Sequence, residues 1–380
     1  MDHKLAKYQE ELEELRQKGN FRQMGNFSDQ KFRVNLSSND YLGIAANPNY
    51  LSSFYQGLGN TPGAFQCGSG SSRLLTGNFD LYEQLEKEMA NQYGQPVLFF
   101  NSGYHANIGL LPALTGKRDL ILSDKLNHAS IIDGIRLSDA EFIRYKHLDY
   151  EHLEKLLIQK RNAFERIFIV SESIFSMDGD EADLKRLVDL KNRFDCFLYL
   201  DEAHALGVRG TKGLGLAEEQ GCMHEIDLLV GTFGKAMASQ GAFVVCHEQI
   251  KSYLVNRMRS LIFTTALPPV IVNWNLQVFR AVLYMSKERK YLAELCDRLR
   301  NQFIENDIET GGNSNILPVM VGDNEKCIIL AEHLRKLGFL VFPIRPPTVP
   351  PNKARLRLSV CADMNWKELE DLPKIIKELI

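Results

Sequence analysis

Lys235 stands in the small-residue run GTFGKAMASQG (231–241), directly after the largely apolar stretch IDLLV (226–230). A lysine among small residues at the end of a buried strand has few chemical uses. A phosphate-gripping P-loop requires glycine six positions before the lysine and Ser or Thr after it. Leu229 and Ala236 occupy those positions. The use that remains is a desolvated amine, nucleophilic toward carbonyls and able to form a Schiff base. The competing reading is an ordinary surface lysine.

Other reactive groups follow apolar runs in the same way. FLYLDEAHALG (197–207) places Asp201 at the end of one run and His204 three residues later. An acid leaving a buried strand needs a partner, and the protonated ring nitrogen of pyridoxal phosphate is one that requires such an acid. An aspartate capping the next turn would look the same by itself. In FFNSGYHAN (99–107), Ser102, Gly103 and Tyr104 open a helix after a strand, where free N–H groups and the helix dipole favour a phosphate. DKLNHASIIDG (124–134) adds His128, an imidazole able to stack on a ring, and SESIFSMDGD (171–180) adds Ser176. An anion cradle, two imidazoles, an acid, hydroxyls and a lysine on five separate loops point to an aldehyde cofactor held by Lys235.

The elements that must position these groups are legible as alternating strands and helices. Strands are expected at 96–100, 119–124, 141–145, 166–173, 196–203, 227–233 and 242–246. Amphipathic helices are expected at 78–94, capped by Asn78 and stopped by Gly94, and at 150–162 and 183–194. Apolar strands without clean alternation, interleaved with helices, predict a mostly parallel sheet covered on both faces. Active groups of such sheets lie beyond the carboxyl ends of the strands. After Leu267-Pro268-Pro269 a long helical stretch, about 271–306, leads to strands at 315–322, 339–344 and 354–360, a helix at 325–338 and a last helix from Asn365. The expected division is an N-terminal helix and arm (1–45), a large domain (46–270) and a smaller α+β domain (271–380).

Composition excludes several classes. With 380 residues, 44% hydrophobic and 24% charged, and a net charge of -3, the chain offers no basic surface for nucleic acid. It has no apolar run long enough to span a membrane, and its charged start is not a secretory signal. The seven scattered cysteines form no CxxC pair, which suits reduced thiols in a cytoplasm and gives no metal site. No GxSxG elbow or complete dinucleotide fingerprint occurs.

The segments NLSSNDYLG, GSGSSRLLTGN, LNHASIIDG, SIFSMDGD, DEAHALGVRG and TFGKA together resemble the α-oxoamine synthases, pyridoxal-phosphate (PLP) enzymes of fold type I, over about residues 33–360. The resemblance implies a large domain with a mostly parallel seven-stranded sheet, a smaller C-terminal domain, and a homodimer with shared active sites. It implies condensation of an amino acid with an acyl thioester and loss of carbon dioxide. Phe233, VGDN (321–324) and IRPPTVPPNKARLRLS (344–359) are similar to the branch joining L-alanine to a pimeloyl thioester, on CoA or a carrier protein, for biotin biosynthesis. The alternatives are a glycine and acetyl-CoA branch, or an inactive binding homologue. The stretch AMASQG after Lys235 departs from the family's glycine- and serine-rich pattern.

By the same resemblance Lys235 carries the cofactor and moves the Cα proton. Asp201 holds the pyridinium, His204 meets the ring hydroxyl, His128 stacks on the ring and Ser176 lies at its edge. Ser102, Gly103, Tyr104 and Thr232 surround the phosphate, and Thr265 reaches the phosphate of the partner subunit. Arg345 grips the amino-acid carboxylate, and Arg22, Asn39 and Thr348 line the substrate entrance.

Overall fold

Seven strands pair into one sheet in the computed structural model, which describes residues 4–27 and 30–380. In chain order they are β1 Val97–Phe100, β2 Asp119–Asp124, β3 Glu141–Tyr145, β4 Arg166–Glu172, β5 Phe197–Asp201, β6 Leu228–Thr232 and β7 Ala242–Cys246. The spatial order is β1-β7-β6-β5-β4-β2-β3. From β6 through β3 every neighbouring pair is parallel; β7 alone runs antiparallel, between β1 and β6. The seven expected strands are thus all present, in a mixed, mostly parallel sheet. Strands β1, β2, β6 and β7 are buried along their whole length, whereas the edge strand β3 keeps charged residues exposed. That is how a covered sheet blunts an open edge.

Register explains why distant motifs meet. Phe100, the last residue of β1, and Thr232, the last of β6, both pair with Ala242 at the start of β7. Glu172 pairs with Asp201, and Asp201 with Val230. The carboxyl ends of β1, β4, β5 and β6 therefore share one edge of the sheet, although some 130 residues separate the first from the last. One face is packed by Ala106, Leu110 and Leu111 of α2 (Gly103–Leu114) and by Ile131 and Ile135 of α3 (Ala129–Leu137), over Leu98, Ile121, Val170, Tyr199, Val230 and Val244.

Local differences from expectation have local causes. The helix α1 (Asp80–Tyr93) ends at Gly94, whose left-handed φ of 72° and N–H bond to Ala90 stop it as expected. Asn78 is not its cap; its side-chain oxygen accepts from Arg73 instead, and Phe79 flanks the helix without a capping bond. The long helical stretch is two helices, α4 (Pro269–Val282) and α5 (Ser286–Glu305).

The chain divides into two compact units. The larger comprises Asn39–Ser176 and Glu181–Lys290; the smaller comprises the arm up to Ser38, Met177–Asp180 and Tyr291–Ile380. In the smaller unit, β8 (Ile316–Gly322), β9 (Pro343–Ile344) and β10 (Ala354–Ser359) form an antiparallel sheet in the order β9-β10-β8. The strand expected over 339–344 is interrupted. Phe339–Leu340 pairs with Val34–Asn35, Arg335 takes the Val341 carbonyl, and Pro343 has no N–H to offer. The last helix is likewise split into Trp366–Leu369 and Leu372–Leu379, with Pro373 in the first turn of the second piece. All seven cysteines are free thiols. Among the described residues no helix is long and apolar enough to cross a membrane.

The turn joining β6 to β7 ends at Gly241, with φ 125°, where an added Cβ would lie 2.5 Å from the Phe99 ring. Strain and overpacking act together there. Gly241→Ala is expected to destabilise the protein by about 2–4 kcal/mol, read as a lower midpoint in urea or thermal unfolding.

Candidate active site

Lys235 lies in the β6–β7 turn, closed by backbone bonds from Phe233 to Gly241 (2.9 Å) and from Ser239 to Phe233 (2.9 Å). The Trp274 indole and the Asn275 amide, both on α4, hold the carbonyls of Ala238 and Gln240. The small residues after the lysine have a packing reason. Gly207 has φ 84°, and a Cβ there would stand 2.7 Å from the Ala236 Cβ, so the loops following β5 and β6 touch at residues too small to separate them.

The Lys235 Nζ is 2.8 Å from His204 Nε2, and His204 Nδ1 is 2.7 Å from the hydroxyl of the fully buried Tyr41. Tyr41 in turn donates to Asn39 Oδ1 at 3.1 Å. With the imidazole proton on Nδ1, donors run one way: Lys235 to His204, His204 to Tyr41, Tyr41 to Asn39. His204 is thus oriented by a buried phenol and itself holds the lysine amine.

Asp201 closes β5 and is 5% exposed. Its Oδ1 accepts from the Ala203 N–H at 2.8 Å and its Oδ2 from the Asn107 amide at 2.9 Å. Two neutral donors fix the carboxylate while leaving lone pairs for a further donor. Next to it, burial pushes the Glu172 carboxyl well above its ordinary value, and the Asp201 charge acts in the same direction. Glu172 accepts the N–H of His128, which caps α3 with Nδ1 toward the Ser130 N–H. Desolvation lowers the His128 pKa from its ordinary 6.5, outweighing the opposing Asp201 charge, and the Lys235 charge acts in the same lowering direction, which favours the neutral ring. The outer side of His128 remains exposed.

Beyond β1, Ser102 caps α2, its hydroxyl accepting from the His105 N–H at 3.2 Å. The Gly103 and Tyr104 N–H groups are the first two of the helix and stand outside its ladder, free to meet an anion. Thr232 faces Gly103, while its hydroxyl donates to the Gly241 carbonyl at 3.0 Å and accepts from Gly234. Tyr104 is half exposed, with its hydroxyl on Asp133. Thr265 is exposed, and its carbonyl is tethered to the same loop by the Asn101 amide at 2.6 Å. Ser176, half-buried, ends the first segment of the larger unit.

The larger unit therefore brings Ser102, Gly103, Tyr104, His128, Asp201, His204, Thr232 and Lys235 to one sheet edge. Arg22, Arg345 and Thr348 fall in the smaller unit, around a cavity of about 330 Å³. There Arg22 Nη2 donates to Thr348 Oγ1 at 2.8 Å and Arg345 donates to the Gly19 carbonyl. Desolvation lowers the Arg345 pKa below its ordinary value, and the Arg22 charge adds to it. Sequence reasoning passed over Tyr41, Asn107, Ser130 and Glu172, although each lies within a quoted motif. Asn107, four residues after Gly103 and so on its face of α2, carried the one available signal.

The residues present fit a phosphorylated pyridine aldehyde. A helix N-terminus suits its phosphate, a buried carboxylate its ring N–H and a lysine amine its carbonyl. Fold and site together define a PLP enzyme. The chain matches the profile of the aminotransferase class I and II family over residues 33–376. It is 51% identical over 349 residues to an 8-amino-7-oxononanoate synthase of Chlorobaculum parvum, covering 91% of this chain and 89% of the relative. A serine palmitoyltransferase from S. paucimobilis with a bound PLP–myriocin aldimine superposes with TM-score 0.89 at 27% identity, over 99% of this chain and 97% of that one. An 8-amino-7-oxononanoate synthase from Francisella tularensis gives TM-score 0.76 at 28% identity, over 92% and 98%. The chain belongs to the class I and II aminotransferase family and, within it, to the 8-amino-7-oxononanoate synthases, PLP-dependent acyltransferases.

Glu202, fully buried behind Asp201, accepts from the Ser173 hydroxyl and from the N–H groups of Leu216 and Ala217, and burial raises its pKa to about 7. An acid with a raised folded-state pKa stabilises the fold most when protonated in both states; that stability drains as pH climbs from its ordinary 4.5 to about 7. The stability margin of the wild type over Glu202→Gln is expected to shrink across that window by about 3 kcal/mol and then to level. Urea titrations of both proteins at pH 5, 6, 7 and 8 measure it.

Proposed function

We propose that the chain joins L-alanine to a pimeloyl thioester, giving 8-amino-7-oxononanoate, carbon dioxide and free thiol. The observation that carries this reading is the lysine amine on His204, at the sheet edge that also holds Asp201 and the start of α2. The half-identical relative's name supplies the substrate class.

When bound, PLP supplies an electron sink conjugated to the substrate Cα. Gly103 and Tyr104 would hold its phosphate with backbone N–H groups, beside Ser102 and Thr232. Asp201 would keep the ring nitrogen protonated, His128 would cover the ring face, and Ser176 would meet its edge. With PLP bound, the amine of Lys235 would take the proton from the alanine Cα. His204 and Tyr41 hold that amine in place. The alanine Cα then bonds to the thioester carbonyl carbon, whose C–S bond breaks to release the thiol. The former alanine carboxylate leaves as carbon dioxide, and Lys235 returns a proton to Cα. Arg345 is assigned to a substrate carboxylate, which its guanidinium suits. Arg22, Thr348 and Asn39 are assigned to the remainder of the substrate. We assign the enzyme to the cytoplasm as a homodimer, with Thr265 reaching the partner's phosphate.

Purified protein is expected to be yellow and to change its visible absorption when alanine is added. Release of thiol is expected with alanine and pimeloyl-CoA; release only with glycine and acetyl-CoA overturns the substrate assignment. Lys235→Ala is expected to lower kcat by roughly a thousandfold or more while leaving the far-ultraviolet circular dichroism unchanged. Unaltered turnover would sink the mechanism. Mixing and refolding Lys235→Ala with Thr265→Arg, each inactive alone, is expected to restore part of the activity, because a mixed dimer owns one intact site. No recovery, with mixed dimers formed, counts against the shared site.

A further inference from the structure

Asn107 makes three hydrogen bonds that leave its amide no freedom. It is 2% exposed on α2, one turn beyond the Gly103 N–H. Its Nδ2 donates to Asp201 Oδ2 and to Ser130 Oγ, each at 2.9 Å, and its Oδ1 accepts from the Tyr199 hydroxyl at 2.5 Å. Tyr199 is wholly buried, and burial raises its pKa well above 10, so the phenol remains a donor. A phenol donor on one side and a carboxylate acceptor on the other allow only one orientation of the amide. The Ser130 hydroxyl, accepting from Asn107, passes its own proton to His128 Nδ1 at 2.7 Å. That places the neutral imidazole's remaining proton on Nε2.

The backbone is built around this chain of bonds. Where α2 crosses α3, a Cβ on Gly134 would lie 2.2 Å from the Asn107 carbonyl. Gly134 is one turn beyond Ser130 on the same face of α3. The two helices therefore approach as closely as backbone allows, at the level where Ser130 meets Asn107. The three groups joined by the amide come from two other elements: Tyr199 and Asp201 from the middle and end of β5, and Ser130 from the first turn of α3.

We propose that Asn107 is a positioning residue that holds the acid for the cofactor's ring nitrogen and, through Ser130, the imidazole over its ring face in one fixed relation. The proposal rests on the PLP site described above. Asn107 steers Asp201 with a neutral donor that stabilises the carboxylate without competing for the ring nitrogen's proton. Loss of that donor frees the carboxylate to turn and removes the donor to Ser130 in the same stroke.

The test compares wild type, Asn107→Ala and Tyr199→Phe. The second variant keeps the aromatic packing of β5 and removes only the hydroxyl that orients the amide. Apoproteins are titrated with PLP, the visible band of each holoenzyme is followed against pH, and apoprotein unfolding is recorded. Asn107→Ala is expected to weaken PLP binding roughly tenfold to a hundredfold, the range of a lost hydrogen bond to a charged group. Tyr199→Phe should weaken it less, in the same direction. The pH midpoint of the visible band should move up in both. A ring nitrogen less firmly protonated no longer opposes the second positive charge on the cofactor, whose other titrating nitrogen then keeps its proton to higher pH. A purely structural role would lower apoprotein stability without moving that midpoint. PLP affinity and midpoint unchanged in a folded Asn107→Ala overturn the proposal. If that variant does not fold, the same result in Tyr199→Phe overturns it. A wild type that takes up no PLP defeats the cofactor reading itself, and the two failures are thus distinct.

Discussion

A carboxylate at the end of a buried strand is the constraint around which the larger unit is arranged. Taking Asp201 out of water is unfavourable unless its oxygens are met by donors. The donors come from elements far apart in the chain: the turn after β5 and α2. The neighbouring strand ends in another acid, Glu172, and the next residue along is a third, Glu202. Burial raises the pKa of both neighbours, and each is satisfied by backbone N–H groups or a hydroxyl. Three acids thus sit within two strand ends without three charges having to coexist. The charge that remains is the one proposed above for the cofactor's ring nitrogen.

The sheet makes this arrangement possible because register is a strict geometric condition. Ala242 is paired on one side with the end of β1 and on the other with the end of β6. A single antiparallel strand between parallel ones therefore delivers the helix start at Gly103 and the turn at Lys235 to the same edge. The glycines at 207 and 241 sit where the Ala236 methyl and the Phe99 ring come too near for a further side chain, and each has a φ beyond the range that other residues adopt readily. Packing of this kind determines the position of Lys235 as firmly as its own bonds do.

Much of this was legible beforehand, for physical reasons. Buried strands read as largely apolar runs, so the covered strands stand out, whereas the exposed edge strand β3 shows only as a short β-prone run between two helices. The residues directly after them announced themselves because a lysine, an acid or an imidazole in a small-residue turn is chemically conspicuous. What was not legible depended on contacts between elements. Asn78 looks like a cap until Arg73 claims its oxygen. Asn107 and Tyr41 look like helix and loop residues until the fold sets them against Asp201 and His204. The run 339–344 reads as one strand because local preference carries no information about Arg335 taking the Val341 carbonyl.

The smaller unit follows the opposite electrostatic plan. Arg22 and Arg345 act on one another across a cavity whose lining residues include no carboxylate, and the positive charge of Arg22 opposes that of Arg345. Two guanidiniums at such a place repel, and neither can relieve the repulsion by losing a proton, because an arginine stays charged throughout the physiological range. Their own hydrogen bonds go to neutral acceptors, the Thr348 hydroxyl and the Gly19 carbonyl, which neutralise nothing. A carboxylate brought between them would gain both attractions and relieve that repulsion, which supports the substrate-carboxylate role proposed for Arg345. An uncharged chain end would leave the repulsion in place. The charge arrangement of the cavity thus favours the proposed carboxylate over an uncharged ligand before shape enters the argument.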